Sequence, residues 1–500
     1  MSRGSNAPRK YTGCMVFLIL LMLVFIGGTV FMGWLCYNLV NGDPISREEI
    51  DLPGVFLPEQ DPSEETEETV PETTMPEPEK VVATATIAST GDVLMHMPVI
   101  ETGRQADGSY NFESIFRYLK PYSESVDFAA ANLETTLAGT DNGYKYSGYP
   151  AFNCPDGIVT SVADAGFDML LTANNHSYDT GMVGYQRTLE VVRGAGLETL
   201  GTMATAEDPK YLIKEINGIK IGMINYTYAY SVTKDGRPSL NGMPHISEVG
   251  LCNFYHSDNL SGFYSEVAGY LDEMKAAGVE ATVMFIHWGV EYQTYANNEQ
   301  KEMAQQLCDM GIDVIIGSHP HVVQPVELLT STVDANHKTV CLYSMGNAVS
   351  NQRQGYISYI STAHTEDGVW FSVTFEKYSD GKVYLADVNL IPTWVNMHTT
   401  DHVKQYNILP LDSSTRDQWQ SLYSLTDPML TSAGKSYDRT MAIVGTGLTT
   451  SREYLAQQKL DRDAYYLDLA MKPQNYDENG NPIFQQAPET MEPESTEAAE

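Results

Sequence analysis

The chain has 500 residues and a formal net charge of −35, with a pI of about 4.5. A chain this acidic lacks the basic surplus that neutralises phosphates, which argues against general nucleic-acid binding. Its length suits one large domain or two medium ones, plus tails.

The first predicted element is a membrane span. Residues 15–40 contain no charged residue and exceed the ~20 apolar residues that cross a bilayer. A signal-peptide core would be roughly 7–15 residues, with a small-residue cleavage site after it; a cleaved signal peptide is the alternative. Arg3, Arg9 and Lys10 precede the run and acidic residues follow from Asp43. The positive-inside rule then puts residues 1–14 in the cytoplasm and the bulk outside. The expectation is a single-pass protein of the cell membrane with an extracellular bulk. Residues 41–80, rich in Glu, Pro and Thr, read as a self-repelling disordered stalk.

From residue 81 to 400, apolar β-branched runs alternate with helical patterns. Strands are predicted over 81–89, 126–131, 167–171, 281–286, 312–316 and 340–343, and helices over 184–194 and 298–310. The alternation predicts an α/β domain. Asn217-Gly218, between 214–216 and 219–226, marks a type I′ hairpin. Ser379-Asp380-Gly381 joins a second hairpin, between 370–376 and 383–391. Residues 401–472 read as a mainly helical extension and 473–500 as an acidic disordered tail. The six cysteines form no Cys-x-x-Cys pair, which argues against a zinc ribbon or a dense disulfide framework. Cys308 and Cys341 lie in apolar patterns that suit buried thiols, and one disulfide is left open.

The chemistry sits just after the strands. Asp92 follows a strand and a glycine, with His96 in the same loop; a turn aspartate is the plain alternative. Asn132 and Glu134, two apart after a strand, share a face if the chain stays extended, and Glu134 is placed to bridge or cap a metal. Asn174-Asn175-His176 offers an amide oxygen and an imidazole, and Asp179 would orient His176. A polar helix cap is the alternative there. His287 ends an apolar strand, with Glu291 nearby as its partner or as a solvated charge. In His319-Pro320-His321 the residue before proline is pushed to extended geometry, so both imidazoles should face one metal centre. Carboxylate, amide and imidazole ligands suit zinc, manganese or iron better than calcium. An ion so held acidifies water and polarises a phosphoryl or acyl oxygen, with His176 as general acid.

GDVLMH, ANLETTL, LLTANNHSYDTG, FIHWGVEY, GSHPHVVQPVE and YSMGNAVSNQ occur in this order. From about residue 83 to 351 the chain resembles the CapA/PgsA-type proteins of bacterial capsule and poly-γ-glutamate synthesis, relatives of the calcineurin-like metallophosphatases. The resemblance implies a four-layer αββα sandwich with a metal site at strand ends. It implies metal ligands at Asp92, His96, Glu134, Asn175, His287, His319 and His321, and His176, aided by Asp179, in the catalytic place. Asn132, Asn174, Glu291 and Asn347 are the expected substrate contacts. Asn-Leu-Glu replaces the usual GDxxD motif, and Asp92 and His96 are spaced more widely than Asp-x-His, so one or two divalent ions remain open. The resemblance implies a membrane-anchored part of capsule or poly-γ-glutamate synthesis or export. Its expected partners are the membrane, synthetase subunits and an anionic polymer. The alternatives are an extracellular metal-dependent hydrolase of phosphoesters or of a cell-surface polymer, and a non-catalytic scaffold.

Overall fold

A computed structural model describes residues 78–472, apart from 359 and 401, with the backbone of 475–476 and 482–483. The expected cytoplasmic segment, the membrane span, nearly all of the stalk and most of the acidic tail lie outside the described residues.

In chain order the strands are β1 (Val81–Val93), β2 (Phe128–Leu133), β3 (Met169–Leu171), β4 (Glu198–Leu200), β5 (Leu212–Ile216), β6 (Ile219–Tyr228), β7 (Ser231–Val232), β8 (Pro238–Ser239), β9 (Phe254–Tyr255), β10 (Ala281–His287), β11 (Val314–Ser318), β12 (Val326–Thr330), β13 (Lys338–Leu342), β14 (Asn347–Val349), β15 (Asp367–Tyr378), β16 (Val383–Thr400) and β17 (Val403–Pro410). One sheet has the order β17-β16-β15-β1-β2-β3-β4, with β14 paired to β1. The other has the order β12-β13-β11-β10-β6-β5, with β9 paired to β6.

Side-chain parity builds the layers. Along β10, Val283 and Phe285 enter a core shared with Phe128 and Ala130 of β2. Met284 and Ile286 point the other way, onto Phe263 and Val267 of the helix Leu260–Ala276 and Met303 and Leu307 of the helix Asn298–Asp309. In β2, Ala129, Ala131 and Leu133 face Ile158 and Val162 of the helix Gly157–Asp164. Strands buried on both faces read as continuous apolar runs, since a period of two leaves no polar side. The result is a mixed αβ sandwich, two sheets face to face with helices outside.

Both predicted hairpins form. Asn217 (φ 51°) and Gly218 (φ 80°) turn β5 into β6, the left-handed pair that a type I′ turn requires. β15 and β16 form the second. Cys154, Cys252, Cys308 and Cys341 are free and buried.

The membrane-anchored architecture is corrected here. No helix among the described residues is long and apolar enough to cross a membrane. The longest, Asp427–Met471, carries Lys435, Asp438, Arg439, Arg452 and Glu453 along its length; it lies on the sandwich and sends Val444, Leu448 and Leu455 into the inter-sheet core. The transmembrane helix, the single-pass membrane location and the membrane as partner are therefore not carried further. The synthetase subunits and anionic polymer implied by the resemblance find no support in the described residues.

The long helix is also tied by charge. Arg439 Nε and Nη2 donate to the two carboxylate oxygens of Asp367 at 2.8 and 2.6 Å, and Ser436 Oγ adds a bond at 2.6 Å. Asp367 is buried, and burial pushes its carboxyl up to about 6 despite Arg439. Removing one partner of a buried pair leaves an uncompensated charge. Arg439→Met should therefore cost about 3–5 kcal/mol in denaturant unfolding. Arg439→Met/Asp367→Asn should recover part of it; no recovery would show that the cost is lost packing.

Candidate metal centre

Strand parity delivers the site to the gap between the sheets. Asn132 and Glu134 continue the inward set of β2 begun by Phe128 and Ala130, and His287 continues that of β10. Ser318 continues the inward set Val314 and Ile316 of β11. In β1 the register shifts at Gly91, and Asp92 lies between Asn132 of β2 and Asn347 of β14. The loop after β3 carries residues 174–179, and the turn after β11 carries His319 and His321.

Two groups of three ligating side chains result: Glu134, His287 and His319; and Asp92, Glu134 and His321. Within each group the ligand atoms lie within 4.8 Å of one another, and every member is buried. Glu134 belongs to both. Its Oε1 lies 3.6 Å from His287 Nε2 and 3.8 Å from His321 Nε2. Asn175 Oδ1 approaches His287 Nε2 at 2.8 Å, while His287 Nδ1 meets Ser318 Oγ at 2.9 Å. His321 Nδ1 lies 3.0 Å from Asp92 Oδ2 and 3.2 Å from Asn347 Oδ1.

These residues fit a divalent cation. Both oxygens of Glu134, which is 0% exposed, and Nδ1 of His319 are buried without a hydrogen-bond partner. Buried polar atoms are seldom left so, because each forfeits its hydration. Burial, then Asp92, pushes the Glu134 carboxyl well above its usual range, an anion short of countercharge. Burial also holds His287 and His319 well below the usual imidazole range, which leaves neutral rings with a lone pair to give. His321 goes the other way: burial pulls it down, but the hydrogen bond and charge of Asp92, with Glu291 and Asn347, together raise it above the usual imidazole range. One or two divalent ions can be held by these two groups.

His319 and His321 depart from the extended geometry expected on either side of Pro320. Their φ angles are 99° and 56°, a left-handed region that costs a side chain of order 1–3 kcal/mol and concentrates at functional sites. The twist splits the pair, His319 joining one group and His321 the other. Tyr228 flanks His319, ring centres 4.9 Å apart.

His176 Nδ1 lies 2.7 Å from Asp179 Oδ2, and its Nε2 lies 4.0 Å from Glu134 Oε1. Phe152 N also donates to Asp179 Oδ2, at 2.7 Å. His96 is in neither group. It contacts the Leu94 carbonyl and receives Asn351 N, both at 3.3 Å, and the Phe152 ring touches both it and His176. Burial, then His321, holds His96 down to about 4. The longer Asp92–His96 spacing is what carries it past the groups.

Of the expected substrate contacts, Asn132, Asn174 and Asn347 are buried ties. Asn132 Nδ2 donates to Asp92 Oδ1 at 2.8 Å, and Asn174 Nδ2 donates to Leu133 O at 2.8 Å. Asn347 Nδ2 donates to Thr365 O at 2.9 Å. Glu291 is exposed and reaches Glu134 only through its field. Ser318 and Asn241 were not anticipated. Parity along β11 points to Ser318, whereas Asn241 stands in an Asn-Gly pair that reads only as a turn.

Gly91 holds Asp92 in place. Asp92 N donates to Gly346 O at 3.0 Å, and a Cβ on Gly91 would lie 1.8 Å from that oxygen. Gly91→Ala should cost about 1–3 kcal/mol through overpacking and weaken metal binding roughly 10- to 100-fold by moving Asp92. Thermal unfolding and metal titration read the two effects; unchanged affinity would show that Asp92 does not need this register.

The family model for the bacterial capsule synthesis protein PGA_cap matches residues 86–352. The capsule biosynthesis protein CapA of Bacillus anthracis is 26% identical over 274 residues, 53% of this chain and 60% of that protein. The chain thus spans less than two thirds of that relative. The PGA biosynthesis protein CapA of Bacillus subtilis (strain 168) is 25% identical over 321 residues, 64% of this chain and 75% of that protein. A solved Staphylococcus aureus protein, provisionally named a 5′-nucleotidase and in complex with α-ketoglutarate, aligns with TM-score 0.39 and 14% identity over 68% of this chain and 58% of that one. A likeness that distant carries no argument here.

Proposed function

Because the chain belongs to the bacterial capsule synthesis protein PGA_cap family, we propose that it is a metal-dependent hydrolase of a phosphoester bond. This replaces the membrane-anchored assembly role expected from the sequence, which the described structure does not support. The observation that carries the reading is Glu134, buried, unpartnered at both oxygens and common to two ligand groups.

Asp92, Glu134, Asn175, His287, His319 and His321 would hold the metal, which when bound polarises a phosphoryl oxygen and acidifies water beside it. The protein supplies the rest. His176 faces the same centre with Nε2 and is held through Nδ1 by Asp179. It is placed to give the Nε2 proton to the departing oxygen, and the Asp179 carboxylate steadies the charged ring. Ser318 orients His287 as a second partner behind a ligand does.

Purified protein loaded with manganese, zinc or iron should hydrolyse p-nitrophenyl phosphate or bis(p-nitrophenyl) phosphate. A chelator should abolish that turnover and added metal restore it. Bound metal without turnover of either ester would overturn the reading.

A further inference from the structure

The His176–Asp179 pair is touched by a residue from outside every strand-end motif. Between β6 and β9 the chain forms the small β7–β8 hairpin, and the turn after β8 brings in Asn241. Asn241 has φ 49°, a left-handed conformation that asparagine tolerates. Its neighbour Leu240 is fully buried in one apolar cluster with Tyr178 and Tyr185. The turn is thus anchored to the same cluster as Tyr178, the residue before Asp179.

Asn241 Nδ2 has three neighbours: Asp179 Oδ1 at 2.9 Å, Pro150 O at 3.1 Å and His176 Nδ1 at 3.2 Å. An amide nitrogen has two hydrogens to give. Carboxylate and carbonyl oxygens only accept, so they take both. Turning the amide over would set its oxygen against two acceptors, which fixes its orientation. No hydrogen is left for His176 Nδ1, which therefore carries its own and donates it to Asp179 Oδ2 at 2.7 Å. Asn241 and Phe152 N thus hold one carboxylate oxygen each, Phe152 N at 2.7 Å.

We propose that Asn241 is a positioning residue for proton transfer. It locks Asp179, keeps His176 in its Nδ1–H form and so confines proton exchange to Nε2, the nitrogen facing Glu134. Its effect on turnover rests on the hydrolase reading; its effect on the tautomer does not.

The test uses the full chain and Asn241→Gly, since glycine accepts the left-handed backbone while deleting the amide. Asn241→Asp, which keeps the side chain's size but sets a carboxylate against Asp179, is the second variant. In metal-free protein labelled with [15N]histidine, the signal missing from His176→Gln identifies His176. It should show a single Nδ1–H tautomer in the wild type and a mixture in Asn241→Gly, whereas Asn241→Asp, which sets a second acceptor beside Nδ1, should keep the Nδ1–H form. In metal-loaded protein, kcat on ethyl phosphate, whose leaving oxygen needs a proton, should fall roughly 10- to 100-fold. On p-nitrophenyl phosphate, whose leaving group needs none, it should fall less than about threefold, with metal content unchanged. A single Nδ1–H tautomer persisting in Asn241→Gly, or equal losses on the two esters in that variant, would overturn the proposal. If the wild type turns over neither ester, the hydrolase reading fails and the tautomer comparison alone decides the role of Asn241.

Discussion

Glu134→Gln should shift stability in opposite directions with and without metal. In metal-free protein Glu134 is a fully buried carboxylate with no partner at either oxygen, beside Asp92. An unsatisfied buried group costs about 1–3 kcal/mol, more when charged. Glutamine keeps the shape, is neutral without taking up a proton, and brings N–H donors beside the neutral rings of His287 and His319. The metal-free variant should therefore unfold at higher temperature than the metal-free wild type. With metal the order reverses, because the carboxylate shared by both groups is gone. A 100-fold loss of affinity forfeits about 2.7 kcal/mol of ligand-derived stability. Calorimetry in chelator and in manganese reads both signs. A variant less stable than wild type in chelator would mean that Glu134 has a partner other than metal.

His176→Gln should separate proton delivery from metal binding. His176 lies outside both ligand groups, so the variant should keep its metal. General acid catalysis contributes typically ~10²–10⁴-fold, so kcat on an alkyl phosphate should fall by about that factor. The loss should be much smaller on an aryl phosphate, whose leaving group departs unprotonated. Equal losses on the two esters, or loss of metal, would place His176 among the ligands instead.

Much of this site is legible in the sequence because strand parity is a rigid rule. Once β2 and β10 are recognised, Asn132, Glu134 and His287 must point between the sheets at the ends of their strands. The Asn217-Gly218 turn is legible for a similar reason, since few residue pairs accept two left-handed backbones in succession. Legibility fails where tertiary context overrides local preference. Proline predicts an extended His319, yet the close-packed turn after β11 holds both histidines at positive φ and assigns them to different groups. His96 looks like a ligand from its loop alone, and only the fold shows Phe152 against it. Asn241 leaves no trace, because nothing local distinguishes a turn asparagine that reaches Asp179 from one that faces water.

Elemental analysis of the purified chain after reconstitution with manganese, zinc or iron, beside Glu134→Gln and His319→Ala/His321→Ala, tests the central claim most directly. One or two equivalents of metal in the wild type, lost in both variants, is the predicted result. No bound metal in the wild type under any of the three conditions would contradict the account, and the buried Glu134 would then need another explanation.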